Sequence, residues 1–141
     1  MSMSFHVPKQ KRIIVVWLNC DPRPKARAMT EFEAMLLSVV VEGPIAFVIV
    51  RFTGWPCRGP LHVALAASLA TAATHPQLWA VTLWLAPRFG YELTVATLEA
   101  AVILVEAMII AWASGLSPMR ALVVSVATNA TSFAAGLLLS A

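Results

Sequence analysis

The sequence predicts an all-α membrane protein: an antiparallel bundle of four transmembrane helices, the first and second of them kinked. Three observations predict it. Apolar residues make up 60% of the 141-residue chain and charged residues only 12%, where a soluble domain carries about a quarter. Charge is gathered at one end, because six of the ten Lys and Arg (Lys9, Lys11, Arg12, Arg23, Lys25 and Arg27) precede residue 28. The remainder divides into four apolar segments of about 20 residues or more, each enough to cross a bilayer core of about 30 Å.

Residues 1–28 read as a basic, disordered tail. The run "IIVVWL" is too short to span a membrane or to form a signal-peptide core, and "NCDPRPKARA" has the Pro and charge content of coil. Cys20 and Cys57 have no CxxC or Cys/His spacing and read as free thiols. A helix start follows directly. Thr30 with Glu33 three residues later makes a capping box, and Glu31 and Glu33 suit the positive end of the helix dipole. Because this start lies just after Met29, two initiation sites fit the sequence, Met1 and Met29, the second leaving residues 1–28 untranslated. The choice sets topology. With the tail, its basic residues hold the N-terminus in the cytoplasm; without it, Arg51, Arg58 and Arg120 against Arg88 place both termini outside.

The first apolar segment spans about 31–52 and is interrupted by Glu42-Gly43-Pro44. The second spans about 61–86 and is interrupted at Thr74-His75-Pro76. The third spans about 91–113 and the fourth about 118–140, with Ser117 as N-cap and Pro118 at the first helical position. The connections "TGWPCRGP", "PRFG" and "SGLSP" are short and rich in Gly and Pro, which makes neighbouring helices antiparallel. Pro44 and Pro76 each remove a helix hydrogen bond and predict the kinks. Each also lies beside an ionisable residue, Glu42 or His75, and broken helices with polar groups at the break are one way to line a site at membrane depth. No internal repeat stands out in the residues. Trp55, Trp79, Trp84 and Trp112 fall mostly near segment ends, as an interfacial belt requires.

The candidate site begins with Glu92, Glu99 and Glu106. Seven residues fall about 20° short of two full turns, so these three form a nearly straight stripe. Glu92 falls near the interface. Glu99 and Glu106, about 10 Å apart along the axis, lie close to the middle of the helix. An acidic residue at the bilayer centre costs about 2.5–3.5 kcal/mol, so this pair must face the bundle interior or a watery cavity. Ser125, Asn129, Ser132 and Gly136 share one face of the fourth segment. Asn129 can hydrogen-bond a carboxylate, and the small residues let the helices approach closely. The expected site is therefore Glu42, His75, Glu99, Glu106 and Asn129, supported by Pro44, Pro76, Ser132 and Gly136.

The order Glu42/Pro44, Thr74-His75-Pro76, Glu99/Glu106, Arg120-Ala121 and Asn129/Ser132/Gly136 resembles a widespread group of small bacterial membrane proteins without an assigned function, whose members often have Asn where this chain has His75. The resemblance covers about residues 31–138. It implies a four-helix membrane fold and a bacterial inner-membrane location, and it implies no reaction or substrate.

Two functions compete. Intramembrane ionisable groups point to ion, proton or metal binding or transport. The alternative is an accessory or assembly subunit of a larger membrane complex, whose buried polar residues act as glue between helices. The partners expected are the lipid bilayer and either further copies of the chain or a larger complex. An intramembrane enzyme is disfavoured, because no Ser/His or paired-Asp arrangement stands out. Nucleic-acid binding is disfavoured too, because the tail has few aromatic residues and suits anionic lipid. The sequence leaves any cofactor unknown.

Overall fold

The computed structural model describes residues 30–140, and the basic tail with its two alternative starts lies outside them. The described chain is all helical: α1 is Glu31–Thr53, α2 Pro60–Phe89, α3 Tyr91–Ser114 and α4 Pro118–Ser140. The capping box closes the start of α1 in both directions. The Thr30 side chain accepts from the Glu33 N–H at 3.2 Å, and the Glu33 carboxylate accepts from the Thr30 N–H at 2.8 Å. Gly54 and Gly115 end α1 and α3 in the left-handed conformation, with φ of 63° and 74°, which costs glycine no Cβ clash. Pro60 and Pro118 stand at the starts of α2 and α4, where a missing N–H is harmless. Pro44 and Pro76 lie inside α1 and α2, and both helices continue through them.

Three helices, α1, α3 and α4, are long and apolar enough to cross a membrane. The longest, α2, has 30 residues, a length of roughly 45 Å, but its Thr, Ser and His75-Pro76-Gln77 dilute its apolar character. Burial is inverted relative to a soluble protein. Phe52, Leu69, Trp112 and Leu138 are among the many large apolar residues that face outward. Glu42, Thr71, Glu106, Ser125, Thr128 and Ser132 are buried.

Each helix packs on two others in a closed ring: α1 on α2 and α4, α3 on α2 and α4. The end that holds the first and third connections is apolar inside, with Ala46, Val50, Val63, Ala66, Ala67, Ile110, Leu116, Ala121 and Val124 forming one cluster under Trp55. Arg58 ties these two connections together. Its backbone N–H bonds the Ser114 carbonyl at 2.8 Å and its guanidinium bonds the Ala113 carbonyl at 3.0 Å. A cation at the last free carbonyls of α3 is the favourable charge for that helix end.

The structure reveals a repeat that the residues conceal. In α1 the buried positions are Glu42, Gly43, Ala46 and Val50; in α3, 64 residues later, they include Glu106, Ala107, Ile110 and Ser114. Buried Val63, Ala66, Ala67 and Ala70 of α2 recur 58 residues later as buried Ala121, Val124, Ser125 and Thr128 of α4. Pro60 and Pro118 keep the same offset. Comparable bonds join each pair, one position out of register at the donor: Ser68 Oγ donates to the Val39 carbonyl at 3.3 Å, and Ser125 Oγ, which stands in the place of Ala67, to the Ile103 carbonyl at 3.0 Å. Those two carbonyls are 64 residues apart. The pair α3–α4 is thus laid out as α1–α2 is. Among the paired buried positions only Glu42 and Glu106 carry the same residue, which is why no repeat is visible in the letters.

Candidate functional site

The site is a polar layer at the middle of the helices. Glu42 comes from α1 and Glu106 from α3, and each is only 2% exposed. α2 and α4 supply the donors, in pairs spaced three residues apart on one helical face. Thr71 Oγ1 donates to Glu42 Oε2 at 2.5 Å and Ser132 Oγ to Glu42 Oε1 at 2.8 Å. Thr74 Oγ1 donates to Glu106 Oε1 at 2.8 Å and Asn129 Nδ2 to Glu106 Oε2 at 2.6 Å. Every oxygen of both carboxylates therefore receives one donor, and each carboxylate is held between α2 and α4. The repeat extends through the network, since Thr71 and Asn129, and Thr74 and Ser132, differ by the same 58 residues.

Each hydroxyl in this layer has a second acceptor on its own helix. Thr71 Oγ1 lies 3.1 Å from the Ala67 carbonyl, Thr74 Oγ1 3.0 Å from the Ala70 carbonyl and Ser132 Oγ 3.0 Å from the Asn129 carbonyl. A hydroxyl has one proton to donate and can turn between the two. Asn129 is different, because its two amide protons serve Glu106 and the Ser125 carbonyl, at 2.9 Å, together.

A cavity of about 330 Å³ reaches this layer. Glu42, Thr71, Glu106, Asn129 and Ser132 line its floor, and Ala34, Tyr91 and Leu137 line it near the ends of the helices that carry the chain termini and the second connection. Its walls include His75, Trp79, Glu99, Phe133 and Gly136, and among the described residues no Lys or Arg lines it. The opposite direction is filled by the apolar cluster under Trp55.

The residues singled out in the sequence divide into three groups. Glu42, Glu106, Asn129 and Ser132 form the layer. Glu99 and His75 line the cavity above it without joining the network, and the buried Nε2 of His75 has no hydrogen-bond partner among the described residues. Gly136 also lines the cavity. Pro44 and Pro76 are exposed and line no part of it, so within the site they act only through the backbone. Glu92 is exposed near the start of α3. Thr71 was missed, and Thr74 was noticed only as part of the proline break. Their shared three-residue spacing with Asn129 and Ser132 is the signal that could have found them.

Among the described residues, no group of three or more His, Cys, Asp or Glu is arranged to hold a metal ion. The carboxylate oxygens point at hydroxyl and amide donors instead. No protein-family model, no curated protein and no solved structure matches the chain.

Proposed function

We propose that the chain is an integral membrane protein of the bacterial inner membrane, an antiparallel four-helix bundle that binds and exchanges protons or small cations at its Glu42–Glu106 layer, as part of a transport or sensing activity. The bond from Arg58 to Ser114 supports the antiparallel arrangement, because it brings the first and third connections to one end. The hydrogen-bonding partners inside α2 support treating it as a fourth span, because its polar groups turn inward. The prolines within α1 and α2 support kinks there.

One observation carries the proton reading: the hydroxyls of Thr71, Thr74 and Ser132 stand between a carboxylate oxygen and a carbonyl of their own helix. With the carboxylate ionised, the hydroxyl donates to it. With the carboxyl protonated, the acid donates to the hydroxyl, and the hydroxyl turns to the backbone. Neither state leaves a buried donor or acceptor unpaired, a defect that would cost about 1–3 kcal/mol. On Glu106 the proton belongs on Oε1, facing Thr74, because Asn129 can only donate to Oε2. The cavity gives the layer access from one end.

The test is proton flux into vesicles containing the purified protein, driven by an imposed gradient and read with an internal pH-sensitive dye. Flux in the wild type, lost at least tenfold in Glu106→Gln, supports the reading. Protein-free vesicles matching the wild type would overturn it.

A second reading has its own support. Complete pairing of both carboxylates is also what a glue between helices requires, and such contacts average about 0.6 kcal/mol in membranes. The chain would then serve as an accessory subunit or as a homo-oligomer. Extraction in mild detergent followed by mass spectrometry distinguishes the two, because a stoichiometric partner favours the accessory role.

A further inference from the structure

The repeat separates what is shared between the two halves from what one half alone carries. The carboxylates and their four donors are shared. Glu99 is not, because its equivalent 64 residues earlier is Met35. His75 is not, because its equivalent is Phe133, and the counterpart of Trp79 is Leu137. These unshared residues are not scattered. Glu99, His75, Trp79, Phe133 and Tyr91 line one cavity of about 210 Å³ above the carboxylate layer. The symmetric frame therefore carries an asymmetric chamber.

The chamber's chemistry is one carboxylate among aromatic rings. Glu99 is half-buried and, unlike Glu42 and Glu106, accepts no hydrogen bond from a neighbouring helix among the described residues. Among the described residues no Lys or Arg lines the chamber, and its one imidazole, His75, has its buried Nε2 without a hydrogen-bond partner there. The rings of Trp79, Tyr91 and Phe133 present π faces or edges to the same space, with Tyr91 and Phe133 exposed at its rim. Aromatic rings around a carboxylate match an organic ammonium: the rings attract the cation and its alkyl groups, and the acid neutralises it. A strongly hydrated metal ion is better held by several carboxylate, thiolate or imidazole ligands, and no group of three or more His, Cys, Asp or Glu is gathered among the described residues. An anion would meet Glu99 unscreened. The volume of about 210 Å³ leaves room for a compact ammonium group.

We propose that this chamber binds an organic ammonium group, with Glu99 as counter-ion and Trp79, Tyr91 and Phe133 as its walls. The ammonium belongs either to a free amine or to an amine-bearing lipid headgroup; the chemistry recognised is the same. The inference uses residues distinct from the Glu42–Glu106 layer and stands whether or not that layer moves protons.

Choline and its neutral isostere 3,3-dimethylbutan-1-ol are the probes. They are titrated against the purified full chain in detergent and followed by calorimetry and tryptophan fluorescence. Saturable choline binding is expected, at least tenfold tighter than the isostere. Glu99→Gln and Trp79→Leu should each weaken it at least tenfold. Repeating the titration in nanodiscs of phosphatidylglycerol, with and without phosphatidylethanolamine, separates the sources. Competition by the ethanolamine lipid assigns a headgroup, and its absence a free amine. No saturable binding, equal binding of the isostere, or undiminished binding in a folded Glu99→Gln protein would overturn the proposal. Proton flux in the same preparation reads the carboxylate layer independently.

Discussion

At the scale of single residues, burial decides which polar groups matter. Glu42 and Glu106 have the same exposure and the same number of donors, yet only Glu106 belongs to the seven-residue stripe that makes α3 conspicuous. Glu42 is its equivalent in the other half. Gly43 shows how finely the neighbourhood is fitted. A Cβ there would collide with Ser68 Oγ, while the Ser68 Cβ would lie at an ordinary 3.7 Å. Ser68 could make room only by turning away from the Val39 carbonyl, at a cost of about 1 kcal/mol. An alanine inside a helix otherwise gains up to about 1 kcal/mol over glycine. Gly43→Ala should therefore be close to neutral in the native chain and stabilising by about 1 kcal/mol in a Ser68→Ala background. Denaturant unfolding in detergent measures the difference, and an equal effect in both backgrounds would remove the contact from the account.

At the scale of elements, the helix ends are set by local chemistry and the helix faces by packing. Thr30 and Glu33 start α1, and Gly54 and Gly115 stop α1 and α3, through interactions within a few residues. Gly115 has φ of 74°, and a left-handed residue with a side chain costs roughly 1–2 kcal/mol. Gly115→Ala should lose about that amount of stability, although the nearest atom to its added Cβ is the Arg58 Cγ at an unstrained 3.7 Å. A thermal unfolding midpoint unchanged by this substitution would mean that the third connection relaxes freely. On the outer surface, Arg88 lies over the Trp84 ring at 4.3 Å, one turn away on α2, and Arg120 lies over Trp55 at 5.7 Å. Both pairs sit near helix ends, where a cation can stay in contact with water and headgroups.

At the scale of the whole molecule, the doubled layout is the organising feature, and it makes an unusual prediction. Thr71 and Asn129 occupy equivalent places, each donating to the carboxylate of the helix that precedes it in the chain. Exchanging them keeps one donor per oxygen. The single substitutions Thr71→Asn and Asn129→Thr should each destabilise by about 1 kcal/mol, from a misfitted or shortened donor. The double exchange should cost less than their sum by at least about 0.5 kcal/mol, the coupling seen between residues of one network. Strict additivity in a double-mutant cycle would show that the two positions are not equivalent.

The sequence by itself determined the four helices, three with the length and apolarity of a membrane span, the capping box that starts α1, and the inward side of α3 and α4. Hydrophobic period, capping residues and the cost of a charge in lipid are local properties, legible from Thr30 with Glu33, Pro118 or the Glu99/Glu106 spacing alone. Tertiary structure decided which polar groups meet. The four bonds that hold the two carboxylates join residues 29, 90, 32 and 23 positions apart, and those pairings depend on how far each helix slides along its neighbours. The same offsets left Glu99 and His75 in the cavity wall rather than in the layer, and turned Pro44 and Pro76 outward. They also made the repeat visible, because it is conserved in what is buried and not in which residues are used.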